Sequence, residues 1–495
     1  MARIYVASSL KPSVSFPWTV LSAMLALAFV LTSCVGQKHE NFAYQLSWNG
    51  AGIDVELTYT HPVADTIILL YGDPGLGGQK DLFSCVKKLR VEGAAWVADS
   101  VNSRVRLYDF KRNPIKIDYR VEQSLPDTGL NTPREVFRPN ITADMLYSLG
   151  MHLFLLPEEE RVQGESIPAQ VTWKEMPDFP VFCLYNPGNG TEDFSGLVLD
   201  LWGAALVGDR LLHVDTLEIA GLRNYVVTAP RTLEEYNIGQ LKVFFKTFYA
   251  AAVDFWEDKP DRPYSLMVYP FQKIDHDVTG LGLFGGFLAR YNATADTILT
   301  HSREETFAHE IGHNWIGAGG DLQWWGEGFD DFQAIYLVTA SGMQPPQNFI
   351  DFFNDYLDRL HHSEIRNLPN EEIDKNFWKL GDYSWIPYWR GAVYALRLMG
   401  QIERQSGTAH AFKDLMMALK PDRNTLTIER FFDITGRFVD KEALKEDFTR
   451  YIIQAETMDL KGDPLPSGCE ARYKDDGTPY LVITDENEFS KHFVL

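Results

Sequence analysis

The hydrophobic period of this chain changes once, near Arg231, and the change limits the folds open to it. From Tyr44 to about Thr228 apolar residues recur mostly at every second position. Ile53-Asp54-Val55-Glu56-Leu57-Thr58-Tyr59 and Ile115-Lys116-Ile117-Asp118-Tyr119-Arg120-Val121 are examples, and stretches such as Gly72-Asp73-Pro74-Gly75 separate them. Alternation of this kind makes half-buried strands, because successive side chains point to opposite faces of a sheet. So many at this spacing predict a β-sandwich-like domain over residues 44–230. Beyond Arg231 the period lengthens: residues 232–257 read as one helix with Leu241, Phe244, Phe245 and Phe248 on its apolar face. A strand at Leu266-Met267-Val268-Tyr269, a glycine-rich segment and two more helices complete a second unit over 231–390. Helical patterns at 391–405, 409–419, 427–434 and 440–456 define a third over 391–457, and 458–495 reads as a polar tail with one strand near Tyr480–Thr484. The expected class is α+β and multidomain.

The first 33 residues stand apart. They contain Arg3 and Lys11 but no acid, and an apolar run from Phe16 to Leu31 leads into Leu31-Thr32-Ser33-Cys34. The run is shorter than the ~20 residues that span a bilayer. A basic start, a short apolar stretch and small residues before a cut site describe a secretory signal. A cysteine straight after Leu-Thr-Ser resembles the bacterial lipobox, which implies acylation of Cys34, a tether over 34–43 and an anchor in the cell envelope. The absence of Asp after that cysteine favours the outer membrane, with the leaflet left open. Cys85, Cys183 and Cys469 remain, and spacing alone does not pair them. With 45% hydrophobic residues the chain has ample material for packed cores. Its net charge of −22, with no basic run, excludes nucleic acid as a partner, since phosphates require clustered Lys and Arg.

One segment carries chemistry: Phe307-Ala308-His309-Glu310-Ile311-Gly312-His313-Asn314-Trp315. Ser302-Arg303-Glu304-Glu305 before it fits a capping box, which predicts a helix from about Arg303 to Ile316. On such a helix His309 and His313 lie one turn apart on one face and both reach a single zinc ion. Glu310 leaves at a neighbouring angle and is placed to hold a water against the ion and take its proton. Catalytic zinc needs a third protein ligand. Glu327, in Trp324-Trp325-Gly326-Glu327-Gly328-Phe329 at the start of the next helix, is the candidate.

These motifs together resemble the gluzincin aminopeptidases, the glycyl aminopeptidase family above all and the aminopeptidase N family more distantly. Pro387-Tyr388-Trp389-Arg390-Gly391-Ala392 is similar to their Tyr-x-Lys/Arg-Gly-Ala signature. The resemblance implies a thermolysin-like zinc domain over 231–390, zinc-dependent peptide hydrolysis, and a Tyr388 hydroxyl that stabilises the oxyanion. It also implies that Gly285, Gly286, Phe287 and Leu288 form the edge strand along which substrate is aligned. In the family a glutamate at the Leu288 position binds the substrate's free amine, which a leucine cannot do. That substitution keeps both exo- and endopeptidase activity open. It also motivates an alternative of a different class, a zinc lipoprotein that grips peptides and turns over little. The thirteen residues from Asn314 to Gly326 are a shorter connection than in aminopeptidase N relatives. Gly280-Leu281-Gly282-Leu283-Phe284-Gly285 matches the dinucleotide fingerprint, but the extended pattern after it lacks the helix that such a loop must open.

Overall fold

The computed structural model describes residues 40–62, 64–72, 81–124, 137–158, 167–188, 192–229, 238–271, 278–292, 301–317, 322–379, 381–423, 425–493 and 495. The signal segment and Cys34 lie outside them. No helix among the described residues is long and apolar enough to cross a membrane.

The amino-terminal part is β-rich, as the period of two predicts. A six-stranded sheet runs in the order Phe194–Leu197, Pro168–Glu175, Asn41–Trp48, Gly52–Thr60, Ile115–Glu122, Val86–Glu92. Ile53, Val55, Leu57 and Tyr59 all point inward, while Glu56 on the same strand is exposed. A second sheet carries Thr66–Leu70, Ala95–Asp99 and Arg104–Tyr108, and its Ile67, Leu69, Val105 and Leu107 enter the same core. Tyr44, Tyr71 and Tyr119 thread this core and give their hydroxyls to the carbonyls of Leu155, His152 and Leu153. Their burial is thereby made compatible with a polar tip. Cys85, Cys183 and Cys469 are free thiols.

Strands β1 (His213–Ile219) and β2 (Leu222–Thr228) mark a correction to the expected boundary at 230. They pair with β3 (Ser265–Phe271), β4 (Val278–Leu283) and β5 (Gly286–Asn292) in one five-stranded sheet, ordered β1-β2-β3-β5-β4. A period of two identifies a strand but not the sheet it joins, so the sequence placed β1 and β2 in the wrong unit. Helix α1 (Ile238–Phe255) makes the crossover between the parallel β2 and β3. Its Leu241, Phe244, Phe245 and Phe248 are buried, as expected.

The sheet's two faces serve different cores. Leu266, Val268, Phe287 and Ala289 face the helices. Met267, Tyr269 and Leu288 face a smaller four-stranded sheet that includes Met145–Leu149 and Ala205–Asp209. The Arg290 guanidinium lies 3.8 Å over the Tyr147 ring at that junction.

The helical layer comprises α2 (His301–Gly312), α3 (Asp330–Ala340), α4 (Pro346–His362), α5 (Asp382–Ser406), α6 (Ala411–Leu419), α7 (Ile428–Thr435) and α8 (Lys441–Phe448). The expected boundary at 390/391 falls inside α5, whose buried apolar side chains from Ala392 to Ile402 belong to one core with α1, α2 and α3, while Ile386 and Trp389 join a smaller cluster with Leu360 and Ile373. The expected polar tail is also corrected. Strands β6 (Cys469–Tyr473) and β7 (Pro479–Ile483) form a hairpin, and Leu481 and Phe489 are buried in that same core. The Tyr336 hydroxyl donates to the His492 carbonyl at 2.6 Å and pins the end of the chain.

Candidate metal centre and active site

Helix α2 is amphipathic in the way the centre requires. Phe307, Ala308 and Ile311 are fully buried, and Phe307 meets Phe244 of α1 and Phe287 of β5 edge to face at 6.1 and 5.3 Å. Its other face carries the two imidazoles, whose rings are 4.6 Å apart and nearly perpendicular. The helix already includes Ser302, so the expected capping box is not formed; Thr306 instead donates its hydroxyl to the Ser302 carbonyl within the helix. The His313 amide still bonds back to the His309 carbonyl at 3.3 Å, and tighter turns through Trp315 close the end.

Glu327 sits on a π-helical turn, Trp324–Phe329, that leads into α3. Such a turn holds one residue more than an α turn, a device frequent at functional sites. Three of its aromatic side chains, Trp324, Trp325 and Phe329, are buried, and the turn is packed on α5 through two glycines. A Cβ on Gly328 would lie 2.4 Å from the Gly391 Cα, and one on Gly391 would lie 2.3 Å from the Trp324 carbonyl oxygen. That contact fixes Glu327 relative to Tyr388, one turn before Gly391 on α5. The Tyr388 ring is stacked on that of His309 at 5.5 Å, and its hydroxyl interacts with the Glu327 carboxylate.

Glu327 Oε2 is buried without a well-formed hydrogen bond, 3.4 Å from His309 Nε2. The Nδ1 atoms face two aspartates that sequence reasoning missed. Asp331 Oδ1 lies 2.8 Å from His309 Nδ1, and Asp330 Oδ2 lies 3.0 Å from His313 Nδ1. The Tyr356 hydroxyl donates to the other Asp331 oxygen. Gly312 admits Asp330, since a Cβ there would stand 2.0 Å from its Oδ1. In sequence, Asp330-Asp331 reads as an acidic first turn favoured by the helix dipole, which hides its second role.

Two imidazoles among four carboxylates, Glu310, Glu327, Asp330 and Asp331, form a donor set suited to a divalent cation. One ligand atom each from His309, His313 and Asp330 already lie within 4.8 Å of one another. The ionisation pattern of these groups agrees. Burial alone depresses the His309 pKa, but the Asp331 and Glu327 charges outweigh it and hold the value well above the usual one. Burial and the His309 charge push His313 down to about 4. Glu327 is held low by the two imidazoles despite its burial. Burial raises Glu310 to about 7, opposed by the His309 charge and the Gly282 amide and reinforced by Glu327.

The Glu310 carboxylate lies against β4, where a Cβ on Gly280 would come within 2.3 Å of Oε1. A Cβ on Gly282 would be 3.2 Å from His313. The glycines that mimic a dinucleotide loop are therefore where the sheet edge comes closest to the histidine helix. This also corrects the expected substrate edge. The edge strand is β4, Val278–Leu283; Gly286, Phe287 and Leu288 belong to β5, which is paired on both sides, and Gly285 is in the turn between. Leu288 is buried against the amino-terminal sheet. The peptide-gripping alternative loses the observation that motivated it.

No family model matches the chain, and no curated protein matches it. Solved structures do. An aminopeptidase N family protein from Idiomarina loihiensis superposes with a TM-score of 0.68 at 14% identity, covering 88% of this chain and 79% of that one. An M1 zinc metallopeptidase from Deinococcus radiodurans superposes with a TM-score of 0.54 at 16% identity, covering 85% and 94%. A two-domain M1 zinc metallopeptidase bound to L-tryptophan gives 0.53 at 17%, covering 83% and 93%. The chain has the gluzincin aminopeptidase fold. The coverage extends the likeness well beyond the motifs, from the β-rich part through the helical one.

Proposed function

We propose that this chain is a zinc metallopeptidase anchored to the cell envelope through Cys34, in which His309, His313 and Glu327 hold the ion. What supports the ligand set is the division of the imidazole nitrogens. Each Nδ1 has its own aspartate, an arrangement that orients ligating histidines. Nε2 of His309 is thereby turned to Glu327. Asp330 competes for the third place, but it approaches His313 on the Nδ1 side, so it acts as a brace and Glu327 as the ligand.

Zinc, when bound, supplies Lewis-acid polarisation of a carbonyl and lowers the pKa of water. Glu310 is the general base: it accepts the proton of the attacking water and returns it to the leaving amine. The Tyr388 hydroxyl, ordered by the His309 ring and by the Gly328–Gly391 contact, donates to the oxygen that becomes negative. A peptide pairs, as an added strand, with the edge of β4 that no described strand occupies. Val278–Leu283 contains no acidic residue. Backbone pairing therefore positions the substrate, which allows cleavage at bonds away from a free amino terminus. On this reading the thermolysin-like domain starts at β1 and includes β1–β5 with α1–α3.

The test is Glu310→Gln in the zinc-loaded protein with a broad peptide library. Turnover should fall by at least about a hundredfold, the scale of a lost general base. One zinc per chain should remain by elemental analysis. A variant that keeps zinc and cleaves at the wild-type rate removes Glu310 from this role.

A further inference from the structure

Helix α5 has one conspicuous exception to its burial near the centre. Ile386, Pro387, Trp389 and Arg390 are buried, whereas Trp385 is 48% exposed. It lies three residues before Tyr388, hence on the same helix face, and the two ring centroids are 5.3 Å apart. With the stacked His309 ring, the three side chains form a row from the metal-facing imidazole out to solvent. Behind the row the packing is apolar: Leu360, Ile373, Ile386 and Trp389 form one cluster against which Tyr383 and Tyr388 rest.

An indole left half in water beside such a centre is a large apolar surface only partly covered. We propose that Trp385 is a specificity-determining residue, whose indole forms the wall for a substrate side chain next to the scissile bond and selects aromatic and large aliphatic ones. The inference rests on the peptidase reading above. Its geometry is short-range. Consecutive Cα atoms of a peptide are about 3.8 Å apart, less than the 5.3 Å between the two rings. On this proposal a carbonyl in reach of the Tyr388 hydroxyl has an adjoining side chain against Trp385.

The experiment uses the zinc-loaded full chain and peptides that differ only in having Phe, Leu, Ala or Lys beside the cleaved bond. In Trp385→Ala the ratio of kcat/KM for the Phe over the Ala peptide should fall about tenfold, the scale of one lost aromatic contact. The change should appear mainly in KM, and Trp385→Phe should restore most of the ratio. An equal loss for all four peptides, or a loss confined to the Lys peptide, overturns the assignment. A wild-type protein that binds zinc and cleaves none of the set defeats the peptidase reading instead, and this inference with it.

Discussion

At the scale of single residues, the centre depends on carboxylates behind the ligands as much as on the ligands. His309 and His313 could be read from their spacing alone, because an interval of four on a helix brings two imidazoles to one face. Asp330 and Asp331 could not, because their function depends on where α3 crosses α2, and local sequence does not report a crossing. Asp331 reaches His309 Nδ1 at 2.8 Å and is itself held by Tyr356. Loss of its charge frees the ring to turn and makes Nε2 a poorer donor. Asp331→Asn should therefore weaken zinc binding about 10–100-fold, the usual effect of removing such a brace. Competition against a chromophoric chelator at pH 8 measures it, and an unchanged dissociation constant would leave Asp331 with no part in holding the ion. Trp385 was equally illegible, since a tryptophan three residues before a tyrosine carries no sign of exposure.

Among the elements, the long periodic ones were the legible ones. The α1 residues expected on its apolar face are among those buried, and the strand at 266–269 is the middle of β3. The substrate edge was misplaced by one strand. Val278–Leu283 alternates glycine with leucine, and with so little side chain it carries a weak strand signal. The structure gives those glycines a steric reason. A methyl group at position 280 would stand 2.3–2.5 Å from the Glu310 carboxylate, whereas one at 282 would meet His313 atoms at 3.2 Å. Gly280→Ala must displace Glu310, while Gly282→Ala asks for a shift of a few tenths of an ångström. The expected result is that Gly280→Ala lowers kcat at least about tenfold, through misplacement of the base. Gly282→Ala should cost markedly less. Parallel kinetics on one peptide decide it, and equal rates for the two variants would mean that the Glu310–β4 contact does not set the base.

For the whole molecule, the division into a β-rich part and a helical part was visible in the change of period, but the joints were not. The helical core takes in the chain end through Leu481 and Phe489, and the catalytic sheet reaches back to His213. Both follow from packing between segments distant in sequence. The amino-terminal joint bears on location. The strand Asn41–Trp48 is held in the interior of its sheet, between Gly52–Thr60 and Pro168–Glu175, and its Phe42, Tyr44 and Leu46 are buried. An acylated Cys34 lies only seven residues before Asn41, a reach of at most about 25 Å. The anchor would therefore keep the β-rich part close against the bilayer. Cleavage before Cys34 would remove Arg3 and Lys11 and no acid, leaving 44 − 68 = −24; two or more acyl chains would then hold the protein on an anionic surface through apolar transfer alone, against electrostatic repulsion. Cys34→Ser removes the attachment point without touching a residue of the centre. The variant should move from the membrane pellet to the soluble fraction of cell lysates, with kcat/KM on a small peptide unchanged. Continued pelleting of Cys34→Ser at high salt would show that something other than this thiol holds the protein to the membrane.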